Sequence, residues 1–256
     1  MFPTIFSIGN ASLHSYGLLF AIGCLAGFFL TKAEAKRKNI NPDRIADLIF
    51  YLLVAGIVGA RIFYVFSDLS AYIENPLEFF KIWKGGLVFY GSLIFAFPTL
   101  FIYVKKHKMP LGKVLDIMAP AFVLAHFFGR IGCLLAGCCY GKPTNLPFAI
   151  TFVNPESLAP LNVGLHPTQI YSALVNFTIF LFLWLVRKRI KIDGQLFWIY
   201  LLAYSVARSI TELFRGDFRG EFILGVLSPA QFIGIIIAIA SIVALTALRR
   251  RDSRES

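Results

Sequence analysis

Seven apolar stretches run through the chain, at 13–31, 45–66, 87–104, 114–139, 167–186, 197–214 and 229–248, separated by polar links. A run of about 18 or more apolar residues is long enough to cross the hydrocarbon core of a bilayer as a helix. The pattern predicts an all-α integral membrane protein with seven transmembrane helices in a single polytopic domain over 1–256, and no soluble domain. Helix starts are marked in two links. Asn41-Pro42-Asp43 opens the second span, and Asn75-Pro76-Leu77-Glu78 opens a short helix expected to run to Trp83 along the interface. The link 140–165 is long for a membrane connector, and "PFAITFVN" within it reads as a short strand.

Composition agrees: 57% of the 256 residues are hydrophobic, Phe alone numbers 27, and the mean hydropathy is +0.71. The net charge of +11 matters through its placement. No Lys or Arg precedes Lys32, so the first span lacks the basic lead of a cleaved signal peptide and reads as retained. Seventeen of the 25 basic residues follow spans one, three, five and seven, whereas five occupy the alternate links. Basic residues gather on the cytoplasmic side, which predicts an outside N-terminus and a cytoplasmic C-terminus. The basic balance does not argue for nucleic acid; the expected partners are membrane lipids and no nucleic acid.

Three arginines, Arg61, Arg130 and Arg208, fall inside spans. By helical rise, Arg61 and Arg208 lie roughly 9–10 Å from the outer ends of their spans, and Arg130 lies about 15 Å below Tyr140. Arg61 admits a bland reading, snorkelling to the outer headgroups. Arg130 is too deep for that, and a lone Arg at the bilayer centre costs about 2.5–3.5 kcal/mol on insertion scales. Glu212 stands four residues after Arg208, on the same helical face. Tyr16, Tyr90 and Gly91 of "GGLVFYGS", and His166, Gln169 and Tyr171 of "HPTQIY" stand at the outer ends of other spans. A guanidinium matches phosphate through two parallel charge-assisted hydrogen bonds, so a phospholipid headgroup held at outer-leaflet depth is the expected ligand. Gly129, Gly132, Ala136 and Gly137 give the fourth span small faces for close helix approach.

Beside Arg130 stand three of the four cysteines, Cys133, Cys138 and Cys139. Their plainest reading is as small, polarizable packing residues. A disulfide on the oxidising side, a metal site and a covalent intermediate are the alternatives; C-x4-C-C lacks the usual C-x2-C zinc spacing. No cofactor or resident metal is expected.

Six stretches in order, "IFSIGNASLHSYGL", "GARIFYV", "WKGGLVFYGSLI", "GRIGCLLAGCCYG", "HPTQIYSAL" and "YSVARSITELFR", resemble the prolipoprotein diacylglyceryl transferase family over nearly the whole chain. The resemblance implies a seven-span bundle with a small extracytoplasmic head, open sideways to lipid. It implies transfer of diacylglycerol from phosphatidylglycerol to the thiol of a lipobox cysteine in a prolipoprotein signal peptide, in the bacterial cytoplasmic (inner) membrane. The family's two essential arginines match Arg130 and Arg208, its first-span tyrosine Tyr16, and its glutamate Glu212. Where the family pattern has Asn, Asn and Glu after the arginine, this chain has Cys133, Ala136 and Cys138, and Tyr90 stands for a usual histidine. The candidate catalytic residues are therefore Arg130, Arg208, Glu212, Tyr90 and His166, with Glu212, His166 and His126 as possible proton acceptors. Candidate substrate-binding residues are Arg130, Arg208, Tyr16, Arg61, Gly91, Cys133, Gln169 and Tyr171. Two other readings stand beside this one. One is a paralogue in the same fold that moves a lipid or phosphoglyceryl group to another acceptor. The other is a small-molecule transporter, disfavoured because transporters carry polar groups on both halves of the path and the inner halves here are almost purely apolar.

Overall fold

The computed structural model describes residues 2–8, 11–67, 69–81, 85–217 and 225–255. Seven long helices dominate it: α1 (Ser15–Arg37), α2 (Pro42–Ser67), α4 (Phe89–Lys106), α5 (Leu111–Ala136), α6 (Thr168–Val186), α7 (Gln195–Glu212) and α8 (Pro229–Glu255). A short α3 (Leu69–Glu74) and a 3-10 turn (Pro76–Phe80) lie between α2 and α4. Before α1, strands β1 (Thr4–Ile8) and β2 (Ala11–His14) pair antiparallel. Between α5 and α6, β3 (Ile150–Thr151) pairs with β4 (Gly164–Leu165).

The chain is a multi-pass membrane protein. Helices α1, α2, α5, α6 and α8 are each long and apolar enough to cross a membrane. The other two long helices fall short of that apolarity. Both have 18 residues; α4 ends in Lys105 and Lys106, and α7 carries Arg208 and Glu212. Large apolar side chains face outward along the spans, Phe29, Leu185 and Val243 among them at 66%, 73% and 61% exposure. In water such surfaces would drive aggregation, whereas against lipid tails they incur no cost.

Two compact units make up the chain, 1–31 with 115–256, and 32–114. In the larger unit, Ala119 and Val123 of α5, Ile179 and Leu183 of α6, and Leu196 and Tyr200 of α7 form one buried cluster. Asp116 of α5 anchors the start of α7 by accepting from the backbone N–H groups of Gly194 (2.9 Å) and Phe197 (3.0 Å). A carboxylate at a helix N-terminus satisfies orphan donors and complements the dipole. Small residues let α1 lie close to α5: a methyl group on Gly23 would stand 3.0 Å from the Ala125 carbonyl oxygen. Phe152, Ala159 and Leu165 form a small core of their own within 140–165.

In the smaller unit α2 and α4 cross at two glycines. A Cβ on Gly59 would stand 2.4 Å from the Gly91 carbonyl oxygen, and one on Gly91 would meet the Gly59 carbonyl oxygen. Asn41 caps α2 as expected, its Oδ1 accepting from the Asp43 N–H at 2.8 Å. The expected interface helix is divided: α3 precedes Asn75, and the segment after it is a 3-10 turn whose Asn75 makes no side-chain cap. Trp83, where that helix was expected to end, lies outside the described residues.

Candidate active site

Each of three helices turns one face toward a small crevice in the larger unit. Its polar lining is Arg130 from α5, Ser172 and Asn176 from α6, and Tyr204, Arg208 and Thr211 from α7. Positions 172 and 176, and 204, 208 and 211, follow the i, i+4, i+7 spacing that keeps side chains on one face. The two deep arginines that the sequence singled out thus share one crevice.

Their ionic surroundings differ. The Arg208 Nη1 donates to Glu212 Oε2, the pair foreseen from the spacing. Glu212 also lies 3.7 Å from Arg215 Nε, and Arg215 grips Asp217 through Nε and Nη2 at 2.7–2.9 Å. Among the described residues, Arg130 has no carboxylate within ion-pair distance. Among the described residues, three guanidiniums against two carboxylates leave one positive charge in excess in this cluster. His126, a candidate proton acceptor, stacks on Tyr204 with ring centroids 5.3 Å apart.

The cysteines stand above Arg130. Cys133 is one turn further along α5 and is buried. Gly137 (φ +76°) then reverses the chain in a left-handed conformation, and a Cβ there would strike Ser157 Oγ. Cys139 is also left-handed (φ +60°), a state that costs a non-glycine residue about 1–2 kcal/mol. Two buried side chains at the start of α6 hold this turn. Thr168 Oγ1 donates to the Cys139 carbonyl at 2.8 Å, and Gln169 Nε2 to the Cys138 carbonyl at 2.9 Å. All four cysteines are free thiols, and the Sγ atoms of Cys133, Cys138 and Cys139 lie within 4.8 Å of one another. The Cys139 thiol is pushed well below its ordinary range by hydrogen bonds from Cys133 and Cys138, which outweigh burial; the Arg130 charge and a hydrogen bond from Arg215 add to this. The Cys138 thiol, bonded to Cys133 and Cys139 and partly buried, is pushed up.

The remaining candidates take varied places. Tyr16 lies against Gly132, where an added methyl would stand 3.2 Å from its Cα and ring Cδ2. The ring of His166 contacts Tyr171 and Phe214, with Nδ1 3.2 Å from the Tyr171 hydroxyl. Its backbone flanks Gly141, which pairs with Arg215. Gln169 was expected on a substrate; its amide also holds the thiol turn. Arg61, Tyr90 and Gly91 belong to the smaller unit. Arg61 is 4% exposed, so it does not snorkel. It donates to four backbone carbonyls, those of Phe79 (2.9 Å), Gly85 (2.9 Å), Gly86 (3.1 Å) and Glu78. Gly91 packs closely against α2, where a Cβ would meet the Gly59 carbonyl oxygen, while Tyr90 is 58% exposed. Sequence reasoning passed over two residues. Arg215 was counted as an outer-loop charge, although its i+3 spacing from Glu212 is a signal. Thr168 sits inside a quoted motif but was given no role.

Comparison with known proteins gives a consistent result. The family model described as prolipoprotein diacylglyceryl transferase matches residues 3–247. The chain is 40% identical over 243 residues to the phosphatidylglycerol–prolipoprotein diacylglyceryl transferase of Clostridium tetani, covering 94% of this chain and 96% of that one. It is 35% identical to the protein of the same name from Finegoldia magna, over 93% and 92% of the two chains. To a second such transferase, from Clostridium perfringens, it is 32% identical over 97% and 96%.

Proposed function

The chain belongs to the prolipoprotein diacylglyceryl transferase family, and from that premise we propose that Arg130 and Arg208 clamp the phosphate of phosphatidylglycerol in their shared crevice. The protein is a transferase; it moves a diacylglyceryl group from phosphatidylglycerol to prolipoproteins, the first step of bacterial lipoprotein maturation. The observation that carries the clamp is the pairing of two arginines in one crevice with one positive charge unmatched nearby. A phosphate diester supplies the missing negative charge.

The reaction is a displacement at carbon. The sulfur of the lipobox cysteine, as thiolate, attacks the glycerol carbon of the diacylglyceryl group. The C–S bond forms as the C–O bond to phosphate breaks, and the electron pair leaves with glycerol phosphate. Negative charge grows on the leaving phosphate. Guanidiniums fixed in place stabilise that charge more in the transition state than in the bound lipid, which is what lowers the barrier. Glu212 orients the Arg208 fork, and Ser172 and Asn176 offer neutral donors to the rest of the headgroup. Tyr16, beside α5 at the start of α1, borders the same region.

In this reading all seven long helices span the bacterial cytoplasmic membrane, and 140–165 with its own small core forms an extracytoplasmic head. The N-terminus lies outside and the C-terminus inside, which the asymmetric placement of basic residues supports. A C-terminal reporter active only in the periplasm would overturn that orientation.

The clamp is tested with purified Arg130→Lys and Arg208→Lys proteins, labelled phosphatidylglycerol and a lipobox peptide. An ammonium cannot reproduce the two-pronged contact. Loss of one such contact in the transition state costs about 3–4 kcal/mol, a fall of roughly 10²–10³ in turnover. Near-normal turnover by a correctly folded variant removes that arginine from the clamp.

A further inference from the structure

We propose that Cys133, Cys138 and Cys139 form a three-sulfur site for a thiophilic d10 cation such as Zn2+, with the fourth coordination position left for the acceptor thiol. The second half of this inference rests on the transferase reading; the first half does not.

The geometry comes first. Three sulfurs within 4.8 Å of one another place a central cation no more than about 2.8 Å from each. A Zn–S bond of about 2.3 Å requires only small rotations of the side chains from there. The triangle is built into the backbone. Cys133 is fixed by α5, whereas Cys138 and Cys139 are turned back over it by left-handed Gly137 and Cys139. Thr168 and Gln169 then lock both carbonyls of the turn from α6. A left-handed non-glycine residue held by two buried donors is a cost that simple packing does not need. A disulfide would use two of the thiols and leave the third without a role, whereas a metal uses all three. The C-x4-C-C spacing argues against a zinc knuckle read from sequence alone, but that rule assumes a different turn.

Charge is the second support. Three thiolates around a divalent cation carry a net charge of −1. Arg130 lies one helical turn from Cys133, and Arg215 pairs through its backbone with Gly141, two residues after Cys139, so arginines from two segments flank the cluster. Outer donors of this kind fix and tune metal-bound sulfur.

The third point concerns coordination number. No fourth His, Cys, Asp or Glu joins the group among the described residues. Three protein ligands and an open position are the arrangement of catalytic zinc, and four are that of structural zinc. A thiol entering the open position is deprotonated by the metal. The lipobox cysteine bound there would release its proton to solvent and present its sulfur beside Arg130. Attack then proceeds as above: the sulfur leaves the metal as it bonds to the glycerol carbon, and glycerol phosphate departs.

The experiment uses the full chain, purified reduced in detergent, stripped with a chelator and reloaded with Zn2+ or Co2+. Wild type is expected to retain one zinc per chain after desalting, and Cys138→Ser or Cys139→Ser to weaken binding at least tenfold. The Co2+ form should show sulfur-to-cobalt charge transfer, with visible bands that shift on adding a lipobox peptide but not its Cys→Ser counterpart. Wild-type protein that holds no more zinc than the triple Cys→Ser variant overturns the inference, and this wild-type measurement does not depend on the variants folding. Isolation of the wild type with two of the three thiols joined as a disulfide and no metal uptake also overturns it. Bands unmoved by the thiol peptide overturn the open fourth position. Full-rate transfer by metal-free wild type overturns the catalytic part and leaves the transferase reading standing.

Discussion

Replacing Arg61 by lysine keeps its charge and removes its fork. The guanidinium bridges two separate pieces of chain, Glu78–Phe79 on one side and Gly85–Gly86 on the other, through four carbonyl acceptors. Tyr64 and Tyr72 face it, with ring centroids 5.6 and 5.4 Å from Cζ. A lysine ammonium is a single point with three donors and reaches one pair of carbonyls, not both. Hydrogen bonds to a charged group contribute about 1.5–3 kcal/mol each, so losing two costs about 3 kcal/mol at the low end of that range. At 1.36 kcal/mol per tenfold, local opening of the segment joining α3 to α4 should become roughly 10² more frequent. Hydrogen exchange measures this directly in the Arg61→Lys protein, alongside KM for phosphatidylglycerol. The expected result is faster exchange with KM little changed. A raised KM with exchange unaltered would refute the positioning role and return Arg61 to the ligand.

Glu212→Gln keeps the shape and removes the charge that pairs with Arg208 and faces Arg215. At about 1.5–3 kcal/mol for a charge-assisted bond, turnover should fall about 10- to 100-fold while the amount of folded protein stays level; equal loss of both makes Glu212 structural. Gly59→Ala places a methyl 2.4 Å from the Gly91 carbonyl oxygen and 2.7 Å from the Phe95 ring, forcing α2 and α4 apart. Overpacking of this kind costs about 1–3 kcal/mol, and an unchanged Tm in detergent would show that the crossing is looser than drawn.

The long helices were legible because each is a local pattern: apolar length, a cap such as Asn41, and an i,i+4 pair such as Arg208–Glu212 are all written within a few residues. The short strand in "PFAITFVN" was visible for the same reason, as alternating β-formers between turn residues. The β1–β2 hairpin before α1 was missed although its signal was present, a Gly-Asn dipeptide between short apolar-rich runs. Nearly all of it lies before the first span at 13–31, where a reading by apolar length assigns no element.

What sequence could not give is the choice of partner across long separations. Asp116 caps a helix 78 residues away, and any buried carboxylate near an interhelical link could have done so. Arg61 and Arg130 look alike in sequence, each an arginine among apolar residues. Fold-back of the chain after α2 gives Arg61 four carbonyls, whereas among the described residues no such set of carbonyls reaches Arg130. The distinction between a structural and a functional guanidinium therefore lies in which acceptors the backbone brings to it. Gln169, a candidate substrate-binding residue, also holds the thiol turn by donating to the Cys138 carbonyl. Arg130 and three clustered thiols remain near the crevice. Among the described residues, a deep guanidinium with no carboxylate partner stands next to sulfurs held by a left-handed turn. Those two features sit one helical turn apart on α5, so a lipid phosphate on the arginine and an acceptor thiol at the sulfurs would meet without any further movement of the helix.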